Sequence, residues 1–354
     1  MKSKVYFSSI KARRHSENKV SKVKKLYKKV AREDFVDKRD LVAVKLHFGE
    51  MGNDTFLNPI FVRQIVDLLK EAGAKPFLTD TNTLYLGSRK NGVDHLETAL
   101  KHGFSYASVN APIMIADGLM GENYKEVEID LKHFKKAFIA GTIEEADSMV
   151  VLSHFKGHGM AGFGGAIKNL AMGCTNPNGK KEQHSTRPVA DHSLCIGCGD
   201  CVRVCPEDAI TLVNKKAVID EFLCVGCGEC MTVCPTKAIV LNWSEELLDF
   251  TEKMVEYAYS AVKNKKDKVI YLNFLLNITP DCDCVPWSDA SIVPDIGILA
   301  STDPVAIDKA SLDLINKGGA DKFKTLRKET LGEIQINYGH EIGLGNKEYE
   351  LIEI

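Results

Sequence analysis

Apolar and polar positions follow two rhythms along this chain. Short apolar runs read as strands: LVAVKLHF at 41–48, KPFLTDT at 75–81, AFIAG at 137–141, SMVVLSHF at 148–155, KVIYLNFLLNI at 268–278 and DIGILAS at 295–301. Between them the apolar residues recur with helical spacing. Asn58 is placed to cap a helix with Pro59 in its first turn, running to Gly73, and VDHLETALKHG at 93–103 continues the pattern. Thr142-x-x-Glu145 reads as a capping box, Ser244 opens a long helix reaching 264, and Asp303 caps one that starts at Pro304. Strands alternating with helices predict an α/β fold with a mainly parallel sheet and flanking helices.

Residues 189–242 break this alternation. Each flank looks incomplete alone, so the reading is a discontinuous α/β domain, 1–188 plus 243–354, interrupted by a small α+β segment at 189–242. The alternative is two separate α/β domains on either side of it.

Composition excludes more than it identifies. The 354 residues carry a formal net charge of −2, which offers no general attraction to nucleic acid or to a membrane surface. No stretch approaches the ~18 apolar residues of a membrane span, and MKSKVYFSSIKARRHS lacks the apolar run of a signal peptide. A cytoplasmic location is expected. Residues 2–39 hold fourteen Lys/Arg against four Asp/Glu. Val20, Val23, Tyr27 and Val30 share one helical face there, which makes the lysines its solvated side. A docking face for an acidic redox protein is the alternative.

The interrupting segment carries the strongest signal. C-x-x-C-x-x-C-x-x-x-C-P occurs twice, at Cys195, Cys198, Cys201, Cys205 and Pro206, then 29 residues on at Cys224, Cys227, Cys230, Cys234 and Pro235. It consumes eight of eleven cysteines. This is the ligand run of a ferredoxin-like two-[4Fe–4S] segment, in which the fourth cysteine of each run serves the other cluster. Cys195, Cys198, Cys201 and Cys234 would then bind one cluster, and Cys224, Cys227, Cys230 and Cys205 the second. Gly197, Gly199, Gly226 and Gly228 let N–H groups turn toward the sulfurs. Zinc sites space their C-x-x-C pairs further apart, and a disulfide framework needs an oxidising compartment.

Outside it, polar residues gather at strand ends, where open α/β sheets bind ligands. Lys45 and His47 alternate in VKLHFGE, and His154, Lys156 and His158 in SHFKGH. Residues two apart on a strand share a face, and these groups suit acid–base work or an acidic substrate. Gly157-x-Gly159-x-x-Gly162 formally matches a dinucleotide fingerprint, but Glu182, at the offset of the expected acid, sits in a polar loop rather than at a strand end. NAD binding is therefore not expected. An anion at the helix N-terminus after Gly164 and Gly165, helped by Lys156 and Lys168, competes with a plain tight turn. Cys282 and Cys284, in TPDCDCVPW, offer a third metal site with Cys174 or a histidine from 154–158, a redox-active pair, or inert buried thiols.

VKLHFGE, SHFKGHGMAGFGGAIKNLAMGC and TPDCDCVPWSD with DIGILASTDPVAID together resemble the domain of unknown function 362 family in its iron–sulfur form. The resemblance covers most of the chain. It implies iron–sulfur binding and a two-cluster module at this position, and it assigns no reaction.

The expected function is an iron–sulfur redox protein. Two [4Fe–4S] clusters would pass electrons from a ferredoxin- or flavodoxin-type partner to a site in the α/β part, where an anionic ligand or small-molecule substrate binds. The rivals are an electron-transfer module docking onto a larger oxidoreductase, and a metal- or cofactor-handling protein using the Cys282/Cys284 loop.

Overall fold

A computed structural model describes residues 2–184, 187–240, 245–317, 319–328 and 330–354. The expected helix start at Ser244 and the segment boundary at 242 lie outside the described residues.

One eight-stranded sheet organises the chain. Its strands are β1 (Ser3–Ser9), β2 (Leu41–Lys45), β3 (Lys75–Asp80), β4 (Ile113–Ile115), β5 (Ser148–His154), β6 (Val269–Leu275), β7 (Gly297–Ser301) and β8 (Tyr349–Glu353). Their spatial order is β8-β1-β7-β6-β5-β2-β3-β4. All neighbours are parallel except β7, which runs against both β1 and β6. The sheet is mainly parallel, as the alternation implies.

Alternate residues of the central strands enter opposite apolar layers. Val42, Val44, Val150, Leu152, Ile270 and Leu272 face one layer, with α1 (Lys19–Val30), α2 (Pro59–Glu71) and α3 (Gly92–Lys101). Ala43, Met149, Val151, Val269 and Tyr271 face the other. That layer is closed by α4 (Ala166–Ala171), α6 (Glu245–Lys263), α7 (Pro304–Ile315) and α8 (Gly332–Glu341), with α5 (Pro177–Gln183) beside α6. Asn58 and Asp303 accept the first N–H groups of α2 and α7, as their positions before proline predict. On α1, Val23, Leu26, Tyr27 and Val30 are buried while Lys25, Lys28 and Lys29 are exposed, the solvated-face arrangement. No helix among the described residues is long and apolar enough to cross a membrane.

Two local expectations fail for tertiary reasons. Thr142 caps nothing: the short helix begins at Gly141, with Ala140 before it and no side-chain cap. Gly141 sits against Asn123, donating its N–H to the Asn123 carbonyl at 2.9 Å, and this contact sets where the helix starts. The glycine segment after β5 is not a strand-to-helix turn. Lys156–His158 pairs antiparallel with Gly162–Gly164, so the Gly157/Gly159/Gly162 pattern is a small hairpin.

The cysteine-rich segment forms two antiparallel ribbons, Val189–Ala190 with Ile239–Val240 and Ile210–Val213 with Lys216–Ile219. Two short helices, Asp200–Arg203 and Glu229–Val233, complete it. Its small core holds Cys195, Cys201, Ile210, Ala217, Cys230, Ala238 and Ile239, and Met231 packs against both this core and that of the sheet.

Candidate functional site

The chain leaves β2 for β3 and β4, then returns to place β5 on the other side of β2. Loops diverge at the carboxyl ends of such a strand pair and leave a crevice. Here the crevice is a cavity of about 690 Å³. Lys45 reaches it from the end of β2, His47 from just beyond it, Asp80 from β3, His154 from β5, and Cys282 and Cys284 from the loop after β6. Lys156, His158, Gly164, Gly165 and Lys168 line it too, so the structure gathers all the strand-end candidates around one space. Cys227, Gly228 and Glu229 of the cysteine-rich segment form part of its wall.

Buried charge pairs hold the rim together. Lys45 Nζ meets Asp80 Oδ1 at 3.0 Å and donates to Asn169 Oδ1 at 2.6 Å. Asn169 in turn donates to Ser153 Oγ at 3.0 Å, tying α4 to β5. Burial alone would raise the Asp80 carboxyl; the Lys45 and Arg89 charges beside it outweigh that and hold it below the usual range. Arg89 Nε reaches Glu50 Oε2 at 3.1 Å, and the Glu50 N–H donates to the Asp283 carbonyl at 2.8 Å. Asp283 is the inner anchor. Its carboxylate accepts from His154 Nδ1 at 2.9 Å and pairs with Lys156 Nζ at 3.2 Å. His154 Nε2 faces the Leu276 carbonyl at 2.8 Å, so both ring nitrogens meet acceptors. Burial opposes the Asp283 charge, but His154 and Lys156 hold its carboxyl well below the usual range. Lys45, His154 and Lys156 are thus engaged within the protein.

Other groups are left for a ligand. The Lys168 side chain makes no hydrogen bond or ion pair among the described residues; burial first, then the Lys156 and Arg89 charges, lower its ammonium to about 7. His47 Nδ1 accepts the Gly49 N–H at 2.9 Å, and His158 Nδ1 accepts the Ala161 N–H at 3.0 Å. Each neutral ring then carries its proton on Nε2. Burial pushes both rings well below their ordinary values, so both are neutral at pH 7. Among the described residues seven Lys/Arg and three Asp/Glu line the cavity, an excess that favours an anionic ligand.

The expected anion position after Gly164 and Gly165 is corrected by the structure. The Asp308 carboxylate already accepts the Ala166 and Ile167 N–H groups at 2.7 and 2.9 Å, and a Cβ on Gly165 would lie 2.3 Å from its oxygen. These glycines border the cavity, but the helix N-terminus is filled from within. Glu182 lies in α5 and accepts the Tyr257 hydroxyl at 2.5 Å, away from any nucleotide role.

Cys282 and Cys284 are joined by a disulfide. A His158 ring nitrogen and the two sulfurs lie within 4.8 Å of one another, a group that could hold a metal ion once the disulfide is reduced to thiolates. Cys174 does not join them. It is buried in the apolar layer against α4, its thiol raised to about 11 by burial.

Cys195, Cys198, Cys201 and Cys234 border one small cavity. Cys205 stands close enough to Cys224, Cys227 and Cys230 for its charge to act on them. Backbone N–H groups of Ala217, Ala209, Gly226 and Ala238 donate to the sulfurs of Cys195, Cys205, Cys224 and Cys234 at 3.2–3.4 Å. Gly197, Gly199, Gly226 and Gly228 have φ of 70–81°, the left-handed turns that aim the loops at the sulfurs. Sulfurs gathered in fours and met by N–H donors suit thiolates holding a metal cluster.

Sequence reasoning missed Asp80, Arg89, Lys180 and Asp308. Asp80 ends the strand KPFLTD much as Lys45 ends LVAVK, a signal that was present. Lys180 was hidden because NPNGKKEQ reads as a polar loop, yet Asn176 caps it and Pro177 starts it as a helix. Arg89 and Asp308 act over long sequence separations that leave no local pattern.

A family model described as Domain of unknown function (DUF362) matches residues 42–313. No curated protein matches the chain. Among solved structures it is similar to the lactate racemase apoprotein from Thermoanaerobacterium thermosaccharolyticum, with a TM-score of 0.45 and 12% identity over 89% of this chain and 58% of that one. It is also similar to a protein from Thermotoga maritima, with a TM-score of 0.39 and 11% identity over 80% of this chain and 55% of that one. The chain thus spans little more than half the length of either, and neither likeness bears on function.

Proposed function

The chain belongs to the DUF362 family, and we propose that this member is an iron–sulfur redox protein that delivers electrons to a small anionic substrate in the cavity. Cys195, Cys198, Cys201 and Cys234 would hold one [4Fe–4S] cluster; Cys224, Cys227, Cys230 and Cys205 would hold the other. Such clusters, when bound, supply electrons singly. The observation that carries the reading is the place of Cys227: this cysteine, which would ligate a cluster, borders the same space as the Lys168 ammonium and the neutral His47 and His158 rings. In this reading residues 189–242 are a two-cluster module set into an α/β domain formed by 1–188 and 243–354.

The remaining chemistry belongs to the chain's own side chains. Lys168 pairs with a substrate carboxylate or phosphate and, with its ammonium near 7, exchanges a proton at neutral pH. His47 and His158 donate from Nε2 to substrate oxygens. Asp283, fixed by His154 and Lys156, keeps the loop after β6 facing the cavity. Electrons would come from a ferredoxin- or flavodoxin-type partner in a reducing, cytoplasmic setting. Leu194, Ile196, Phe222 and Leu223 stand exposed just before or beside the first cysteine of each run, on the approach such a donor needs.

Iron and sulfide analysis of anaerobically purified protein tests the reading. It requires about 8 Fe per chain and a paramagnetic signal on reduction with dithionite. Stoichiometric zinc in place of iron would end it. A metal-handling role keeps one support, the closeness of His158 to both sulfurs of the Cys282/Cys284 loop. It requires a further metal that Cys282→Ser removes.

A further inference from the structure

We infer that the Cys282–Cys284 disulfide is a redox-active group of the cavity, cycling between disulfide and dithiol and handing electrons in pairs to the bound anionic ligand. The inference rests on the proposed function for the source of its electrons.

A structural role explains this disulfide poorly. It closes a loop around one residue, Asp283. The chain-entropy stabilisation of a cross-link grows with loop length and is least here. The loop is also already fastened without it. Asp283 is held by His154 and Lys156, and its carbonyl accepts the Glu50 N–H. Arg327 donates to the Pro280 carbonyl at 2.6 Å and pairs with Asp281. Gly157 lies directly under Pro280, where a Cβ would come within 2.1 Å of the carbonyl oxygen. The chain turns at this point, the Val285 N–H donating to the Cys282 carbonyl at 3.2 Å; Asp283 meets its buried partners inside the turn, and the two cysteines on either side of it border the cavity.

The surroundings suit sulfur that opens and closes. The Cys284 N–H donates to Cys282 Sγ at 3.4 Å, and His158 stands beside both sulfurs. Lys168 lines the same cavity as His158 and the two cysteines. N–H donors and cations favour thiolate over thiol. The two sulfurs are unequal: Cys282 is buried, 5% exposed, and Cys284 is half-buried. Cys284 is therefore the sulfur within reach of a ligand, and Cys282 the one that re-forms the bond.

The step balances simply. The S–S bond breaks as the two sulfurs take up two electrons and two protons, giving two thiols. The electrons come one at a time from a low-potential donor acting on the cysteine-rich wall, and the protons come from solvent in the cavity. In return the dithiol gives two electrons and two protons to an anionic ligand reducible by an electron pair, and the S–S bond re-forms.

The test equilibrates the intact chain anaerobically with graded mixtures of oxidised and reduced dithiothreitol. Samples are acid-quenched, unfolded and alkylated, and the peptide holding both cysteines is weighed. The expected result is a passage from no label to two labels with no singly labelled population, the mark of a two-electron couple. A disulfide that persists in fully reduced buffer, or two free thiols in fully oxidised buffer, would overturn the inference. A second measurement uses Cys284→Ser: on dithionite titration its uptake falls by about two electrons per chain relative to the parent, with iron unchanged. Equal uptake, or a stoichiometric metal that the variant loses, counts against the disulfide. Iron near 8 per chain with an inert disulfide removes this inference and leaves the proposed function standing. A responsive disulfide in a chain that binds no iron does the reverse.

Discussion

The cysteine-rich segment and the sheet are held together by different physics. The sheet has two apolar layers built from residues hundreds of positions apart. Among its described residues the segment has one small core cluster of seven buried side chains, three of them cysteines, and two ribbons of two strands each. Two-stranded ribbons are marginal in water, and a core this small does not repay the entropy of ordering the chain. Ile196 and Phe222 even stand exposed beside it, at 64% and 91%. On the proposed reading, one part of the molecule is ordered by burial and the other by the metal its sulfurs would hold. The cavity lies at their border, so a ligand there touches both.

The largest effect is expected from withholding iron or from Cys201→Ala or Cys230→Ala, each of which removes a buried sulfur. Metal binding in such segments is folding free energy. Hydrogen exchange should show residues 189–240 losing protection while strands Ser148–His154 and Val269–Leu275 keep theirs. Equal protection of the segment without metal would show that it folds by burial after all.

Next in size is Asp283→Ala, which acts inside the sheet's end of the border. It leaves His154 and Lys156 buried without their counter-charge. Removing one partner of a buried pair costs about 3–5 kcal/mol. Urea denaturation should register that loss in the sheet, with iron retained; a loss under about 1 kcal/mol would mean the site relaxes freely.

The smallest effect on folding belongs to Lys168→Met. Burial lowers this ammonium from 10.5 to about 7 in the folded chain, so between those values the unfolded chain holds a proton that the folded chain has released. Stability therefore rises with pH from about 7 toward 10.5, and the substitution flattens that rise. Urea midpoints at pH 7 and 9 would sink the assignment if both proteins showed the same slope. Inorganic phosphate binding should fall about tenfold or more in the variant, the loss of one charged hydrogen bond of ~1.5–3 kcal/mol. In the parent it should weaken as pH rises through 7.

The central strands were legible because buried parallel strands are near-continuous apolar runs. SMVVLSH and VIYLNFL show this directly. Ser3–Ser9 and Tyr349–Glu353 were not read, since a strand near the sheet edge need not be apolar on both faces and YELIE is mostly polar. The reversed direction of Gly297–Ser301 has no local signature, because direction is a property of its neighbours. Among site residues, Lys45, His47, His154 and Lys156 were legible as polar groups ending apolar runs. Their division of labour was not: only the positions of Asp80 and Asp283 show that Lys45, His154 and Lys156 are spoken for and that Lys168 is not.

The amino-acid sequence alone was enough for the central apolar strands, the helices capped by Asn58 and Asp303 and the two fourfold cysteine runs, because periodicity, capping and loop spacing act over a few residues. Tertiary structure alone decided that Asp308 fills the helix end after Gly165, that Cys174 lies apart from Cys282 and Cys284, and that Cys227 faces the cationic cavity. Each of these depends on which distant groups share a low-dielectric space. Burial and charge neutralisation there act through distance in three dimensions, which the linear chain does not record.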